Sequence, residues 1–543
     1  MRNRTFPLRD RSLAGCVTIG LLVPGCAFAA AGDDAQPLPA PPAAVPTPQP
    51  APPPYPAPGP APAPDLGPAS GSNPRSTPRD PLKSPFPAEA DGQGPRTGPN
   101  YMMLRGAEDW RFLRDRRAKR DWASPLKFIP LSDDGDVSLT LNGTQRSSVS
   151  LSTRPLLSDT RDRIEVLSRT AIGADLRIGP AVRFYGELAS GQIFGRNETR
   201  HIAIQKNDLI VQQLFAEVRA PLGSGPGAGV ARLTVGRQEF FDGPRFIISP
   251  RENPNIRVSM NGARLSMDWR RFRFSAFHFE PTAQGIGLLD DRIGNGETLS
   301  GVYSSFVVAG AGPKSKSAVY FDPFYYHFVK DEHTLGRLSG KDRRETYGAR
   351  LWGRLGRVAF DWSALKQDGR FGVRQVDAWA LSTNQSVGLG AGSSAPRLGF
   401  HADYASGGDT FEGSGKVGTF NFLYNATVIF SDDNYLGAIN LMGIAPTLTV
   451  PVSRRFSLTG ETGSYWRPDR SDAVYRGNSQ VYAGTRNVRG RHVANMARLR
   501  ANWTPDPHVI LSGIVNYAEA GKVLRRAGYG DNLFVQTNMT LRF

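Results

Sequence analysis

The sequence predicts an all-β transmembrane antiparallel barrel behind a signal peptide and a disordered Pro-rich segment. Three observations predict it: an export signal at the amino terminus, short segments that are apolar at every second residue, and a carboxy-terminal strand ending in phenylalanine. The ending FVQTNMTLRF shows the pattern. Val535, Thr537, Met539, Leu541 and Phe543 fall on one face, and Gln536, Asn538, Thr540 and Arg542 on the other, which is the two-residue period of a pleated strand. Such a strand suits an apolar medium on one side and water on the other.

At the amino terminus, Arg2, Arg4, Arg9 and Arg11 precede the apolar run LAGCVTIGLLVPG, and the small-residue site Ala27-Phe28-Ala29 follows. Residues 1–29 therefore read as a secretory signal cleaved after Ala29. The chain's two cysteines, Cys16 and Cys26, would leave with it, so no disulfide framework is expected in the oxidising compartment beyond. Losing four arginines and Asp10 takes the formal charge from +17 to +14. Residues 36–99 hold 23 of the 43 prolines and little that could build a core, so residues 30–100 read as an extended disordered tether. At about 3.1 Å per residue such a chain reaches at most on the order of 200 Å, enough to approach an inner partner or simply to act as a solvated spacer. Residues 101–130 form a charged pre-barrel segment, and residues 131–543 the barrel.

Beyond Pro130 no apolar stretch approaches the roughly 20 residues of a membrane helix, so any crossing is made by strands. In VRFYGEL, Val182, Phe184, Gly186 and Leu188 oppose Arg183, Tyr185 and Glu187. RLGFHADY sets Leu398, Phe400, Ala402 and Tyr404 against Arg397, Gly399, His401 and Asp403. In RVAFDWSA, Val358, Phe360, Trp362 and Ala364 oppose Arg357, Asp361 and Ser363. Trp269, Trp352, Trp379, Trp466 and Trp503 lie near segment ends, where an aromatic girdle would place them. A spanning strand with its share of loop takes somewhat over 20 residues, so the remaining chain supplies about 16 to 20 strands around an aqueous lumen. The first and last strands must pair, because an unsatisfied backbone group in hydrocarbon costs several kcal/mol.

Arginine recurs on the polar faces. On the lipid side near the midplane it costs about 2–4 kcal/mol, so these side chains are assigned to the lumen or its rims. Arg177, Arg183, Arg350, Arg354, Arg498 and Arg500 are the predicted pore lining, where planar guanidinium forks suit carboxylate or phosphate and interleaved acids keep binding weak. The competing reading puts the excess charge on loops that meet anionic headgroups or confer solubility. Continuing the strand ARLTVG would point Arg237 and Glu239 into lipid, so it is expected to end or shift near Gly236. A second parity break falls at Asn261-Gly262. Between them lies a loop punctuated by Gly243-Pro244 and Asn253-Pro254 that carries Arg237, Glu239, Arg245, Arg251 and Arg257. Arg237, Glu239, Arg245 and Arg257 are the candidate constriction if this loop folds back, and ordinary loop residues if it does not.

No catalytic signature accompanies this pattern. There is no GxSxG elbow, and Ser414 in EGSGKVG lacks the first glycine. His327, Glu332 and His333 in HFVKDEH lack the spacing of HExxH, and the segment reads as a loop. Neither a phosphate-cradling GxxxxGK[ST] nor a nucleic-acid recognition motif is present. No catalytic residue, metal or cofactor is assigned.

Two runs carry a family resemblance: EDWRFLRDRRAKRDWASPLKFIPL, residues 108–131, and VGRQEFFDGPRFIISPRENPNIRVSMNGARL, residues 235–265. They resemble the alginate export family of Gram-negative outer-membrane proteins, in which the first motif precedes the barrel and the second carries GRQ, an arginine-containing turn, an NxR stretch and NG or DG before the next strand. The long proline tether departs from the usual family pattern. The resemblance implies an 18-stranded monomeric barrel with an electropositive pore, partly occluded by a loop and a periplasmic turn, that secretes an anionic polyuronate. The expected surroundings are outer-membrane lipid, the barrel assembly machinery and periplasmic export proteins, with the Pro-rich segment in the periplasm. A general or small-anion-selective porin and, more distantly, an outer-membrane hydrolase remain the alternatives.

Overall fold

Eighteen strands form the wall: β1 Val137–Ser152, β2 Arg163–Ile178, β3 Val182–Phe194, β4 Asn207–Leu222, β5 Gly229–Gln238, β6 Met260–Asp268, β7 Phe272–Ala283, β8 Glu297–Gly310 and β9 Ala318–Leu335, followed by β10 Leu338–Leu355, β11 Val358–Phe371, β12 Arg374–Gly388, β13 Arg397–Ala405, β14 Leu441–Pro451, β15 Phe456–Trp466, β16 His492–Asp506, β17 Val509–Ala520 and β18 Asn532–Arg542. Each pairs antiparallel with its sequence neighbour. The sheet closes where β18 meets β1, from Phe534 opposite Ser152 to Arg542 opposite Thr144. The structure, a computed structural model, describes residues 82–543 except 197–200, 253, 295, 312–314, 316, 391–393 and 414. The expected signal and all but the end of the Pro-rich tether lie outside the described residues.

Alternation fixes which side each residue takes, because residues directly opposite in an antiparallel pair share a face. On β2, Arg163, Glu165, Arg169, Asp175 and Arg177 are buried inside, while Ile164, Ile172 and Ile178 are exposed outside. Phe184 and Leu188 on β3, Leu398 and Phe400 on β13, and Leu533, Met539 and Leu541 on β18 continue the exposed apolar exterior, as the alternation predicts. Trp379 and Trp503 also face outward. Trp352 does not: it points inside, where its indole N–H donates to Asp322 at 2.5 Å, so it is no part of an aromatic girdle. Parity decides this, since Trp352 pairs with Asp361 and Tyr320 on the inner face.

The two ends differ. The start of β1 and the end of β18 lie at the end bearing the short connections, none longer than eight residues, whereas the opposite end carries loops 239–259, 406–440 and 467–491. Short turns with the termini mark the periplasmic side. In three of the four two-residue connections, Gly336-Arg337, Gly356-Arg357 and Gly372-Val373, glycine leads with φ of +63°, +58° and +57°, the first-position glycine of a tight hairpin; the fourth is Pro507-His508. His327, Glu332 and His333 lie in β9, not in the loop expected for them. His327 meets Glu345 at 2.7 Å and His333 meets Asp342 at 2.8 Å.

The closing ladder yields a prediction. Deleting residues 534–543 removes every rung between β18 and β1, so the truncated chain should show no heat-modifiable barrel band in membranes. Normal assembly of that truncation would contradict the closure described here.

Candidate functional site

All six arginines assigned to the lumen face the barrel interior, but most meet a carboxylate there. Asp175 accepts from Arg177 Nε at 3.0 Å and from Arg183 Nε at 2.7 Å, and Arg350 grips Asp361 through two bonds at 2.7 and 2.6 Å. Arg350 also stacks over Trp352, 4.5 Å from the ring centre. Across the barrel, Arg498 pairs with Glu461, and Arg500 donates to Asp432 at 2.9 and 3.1 Å. Arg354 faces inward with its Nε lacking a hydrogen-bond partner among the described residues. A buried guanidinium without such neighbours would carry the full cost of desolvation, so inward acids are the physical condition for inward arginines.

Residues 82–131 fill much of the periplasmic end. The tether thus gives way to packed chain at Leu82, not at residue 100, because the few apolar residues near its end have a wall to bury against. Phe86 and Ala90 pack with Val307, Ala318, Tyr320 and Trp352. Tyr320 donates to Glu89 at 2.7 Å. Gly92, with φ +72°, passes so close to the wall that a Cβ there would sit 2.7 Å from Arg273 Nη2. Arg105 forms a two-pronged pair with Glu187 on β3, both bonds at 2.6 Å and both groups buried. Lys127 lies 3.5 Å from Glu108 and 4.8 Å from the Trp110 ring centre. Arg542, on the last strand, donates to Thr97 Oγ1 at 2.7 Å. Arg177 and Arg183 lie beneath this segment, donating to the carbonyls of Glu108 and Gly106, and therefore do not border open water as the sequence reading expects.

From the opposite end, loop 239–259 folds back inside, one of the two alternatives left open by the sequence. Glu239 accepts from Arg257 Nη1 at 2.9 Å, and Arg257 also pairs with Glu252. Burial alone would push Glu252 up, but Arg169, Arg257 and Arg146 hold its carboxyl well below the usual range. Asp242, also buried, is held at about 2 by Arg273 and Arg264. Arg245 is pulled down to about 10 by burial, with Arg350 and Arg500 adding and Asp361 opposing, so the loop brings this guanidinium within electrostatic reach of both arginine walls.

Arg237 is a correction. β5 does not end at Gly236 but stays paired to Gln238, with Arg237 opposite Leu214, a side chain 61% exposed on the outer face. Arg237 therefore lies outside the constriction, near the loop end of the wall, donating to Asn261 Oδ1 at 2.9 Å and to the Val211 carbonyl at 2.8 Å. Gly236 and Gly262 face each other in register, and a Cβ on Gly262 would stand 2.0 Å from the His278 carbonyl oxygen. Both glycines have positive φ, +127° and +149°, a backbone that residues with a Cβ rarely adopt, close to where the loop departs.

A second inward loop, 406–440, has no counterpart in the sequence reading. It joins the first through backbone bonds, Tyr424 N–H to Ile247 at 2.9 Å and Ala426 N–H to Arg245 at 3.0 Å. Phe240, Phe246, Ile247, Phe420, Phe422 and Phe430 from these loops pack with wall residues such as Phe277, Phe279 and Phe328. Each large apolar side chain so buried contributes about 1.5–3 kcal/mol, and together they close the extracellular half with an apolar core. One sector stays uncovered. Toward the periplasmic end, the inward residues Asp361, Asn384, Arg397, Thr449, Thr459 and Asn502 are exposed or only partly buried, whereas Ser138, Thr140, Asp175 and Ser266 on the opposite wall are buried.

A closed barrel with an apolar exterior and a polar, partly uncovered interior is an outer-membrane channel, not a soluble sandwich. The chain belongs to the alginate export family, whose sequence model, described as alginate export, matches residues 138–531. That membership places it in the Gram-negative outer membrane among channel-type barrels and not among enzymes. No curated protein matches the chain. Among solved structures it is similar to OccD3 (OpdP) of Pseudomonas aeruginosa, with 12% identity, a TM-score of 0.50 and coverage of 75% of this chain and 91% of that one. It is also similar to OccAB1 of Acinetobacter baumannii, with 10% identity, a TM-score of 0.49 and coverage of 78% and 99%. A third is OccK2 (OpdF) of P. aeruginosa, solved in complex with glucuronate, with 11% identity, a TM-score of 0.47 and coverage of 77% and 98%. At these identities the likeness speaks to fold alone.

The packed segment sharpens a truncation experiment. Removing residues 36–81 should leave heat-modifiable mobility unchanged, while extending the deletion to residue 99 removes Phe86, Glu89 and Thr97 and should lower the unfolding temperature of the barrel. Equal stability of the two truncations would show that residues 82–99 add nothing.

Proposed function

We propose that this channel passes an anionic polysaccharide of the polyuronate class, and that the path runs off-axis along the uncovered sector of β10–β17. The observation that carries the reading is the composition of that sector. Arg354 and Arg397 stand among threonine, serine and asparagine side chains on the face that the amino-terminal segment leaves bare, with Arg350 and Asp361 beside them. Guanidinium forks match a carboxylate on each sugar, and hydroxyl and amide groups match its hydroxyls. The neighbouring Asp361 keeps any one contact weak, as conduction requires. Family membership supports the same substrate class. The alternative, a porin for small anions, shares the arginines but needs no row of neutral hydrogen-bonding groups along them.

In planar bilayers, short oligouronates should block the small-ion current, and neutral oligosaccharides of the same length should block it at least several-fold more weakly. Raising salt should relieve the block, since exposed charges are screened over about 8 Å at physiological ionic strength. Changing Arg350 and Arg354 to Ala should weaken the block with the barrel band intact, because lumen substitutions tune selectivity more than stability. Equal block by neutral oligosaccharides would contradict carboxylate recognition. If small anions pass while oligouronates neither block nor pass, the porin alternative takes its place.

A further inference from the structure

We propose that Asp432 and Asp433, adjacent on loop 406–440, are a built-in carboxylate ligand: they occupy the arginines of the inner wall and hold the loop across the channel until the carboxylates of an entering polyanion compete for the same guanidiniums. The competing ligand rests on the polyuronate reading above; the latch itself rests on geometry.

The contacts are specific to the wall. Asp432 accepts from Arg500 Nη2 at 2.9 and 3.1 Å and lies 3.6 Å from Arg498 Nη1, both on β16. Asp433 accepts from Ser152 Oγ on β1 at 2.6 Å and pairs with Arg163 on β2. Two consecutive side chains thus reach arginines on strands on either side of the β18–β1 seam. Neighbouring loop atoms reinforce the hold: Arg498 donates to the carbonyls of Val428 and Ile429 at 3.0 and 3.1 Å, and Tyr435 donates to Asn532 Oδ1 at 2.6 Å. Asp432 and Asp433 are fully buried, as are their arginine partners to within a few per cent.

The site also holds unused donors. Arg500 Nε and Nδ2 of the fully buried Asn516 have no hydrogen-bond partner among the described residues, and Arg500 Nη1 has only Glu461 at 3.7 Å. Buried donors left unpaired are costly, and a carboxylate larger than an aspartate side chain, or one carried with hydroxyls, would satisfy them. The wall arginines therefore offer an incoming uronate more hydrogen bonds than the aspartates take. A ligand that binds the wall only after the loop has left shifts the loop toward the open state, to the extent of its differential affinity.

The test uses the full chain in planar bilayers without oligouronate. Changing both residues, Asp432→Asn with Asp433→Asn, should raise open probability at least about tenfold, equivalent to about 1.4 kcal/mol of latch energy, with the heat-modifiable band retained and an anion preference no weaker than that of the wild type. Wild-type open probability in a correctly assembled variant would overturn the latch. Should that variant fail to assemble, Arg163→Gln reads the same contact from the wall side and should give a rise in the same direction; no rise overturns the proposal equally. Hydrogen exchange tests the competition: short oligouronates should speed exchange of residues 427–436 in the wild type. Unchanged exchange at concentrations that block the current would overturn displacement by the polyanion. If oligouronates do not block at all, it is the polyuronate reading that fails, and the latch is judged on open probability alone.

Discussion

The rungs between β18 and β1 are the constraint on which everything else in this protein depends. Hydrocarbon offers no partner to a backbone N–H or carbonyl, so the sheet must close, and once it is closed every residue is either outside in lipid or inside. That choice sorts the arginines. Outside near the midplane each would cost several kcal/mol, so they gather inside. There, desolvation requires carboxylates nearby, and Asp175, Asp361 and Glu461 supply them from the wall while Glu252, Asp432 and Asp433 supply them from loops.

The interior is consequently partitioned and not simply bored through. The amino-terminal segment buries much of the periplasmic face of the first nine strands, the two inward loops close the extracellular half with an aromatic core, and among the described residues the periplasmic sector of β10–β17 keeps polar side chains uncovered. A charge-balanced wall of this kind offers an anion exchange of partners in place of a deep well. Carboxylates borne on movable loops make the channel's own chain a competitor for the sites that its substrate would use.

Much of the wall was legible because a strand writes its environment locally. The alternation in VRFYGEL, RLGFHADY and RVAFDWSA assigns Phe184, Leu398 and Trp362 to lipid and Arg183, His401 and Asp361 to the interior, and the structure agrees. The glycine-marked departure of loop 239–259 was legible for the same reason, since a change of parity is a local event. What was not legible depends on contacts distant in sequence. Proline content masks Phe86, whose role appears only when Tyr320 and Trp352 are beside it. An aromatic near a strand end reads as girdle until register turns Trp352 inward. Loop 406–440 has no period to read, and nothing in SDDNY announces that Asp432 meets Arg500 some seventy residues away. Arg237 misled because β5 stays paired two residues beyond the glycine that seemed to end it.

The central claim is that inward guanidiniums set the preference of the conducting path, and the reversal potential across a salt gradient in a planar bilayer tests it most directly. The account predicts a potential displaced toward the anion equilibrium value, shrinking as salt is raised on both sides. A potential displaced toward the cation value, or none at all, would contradict it.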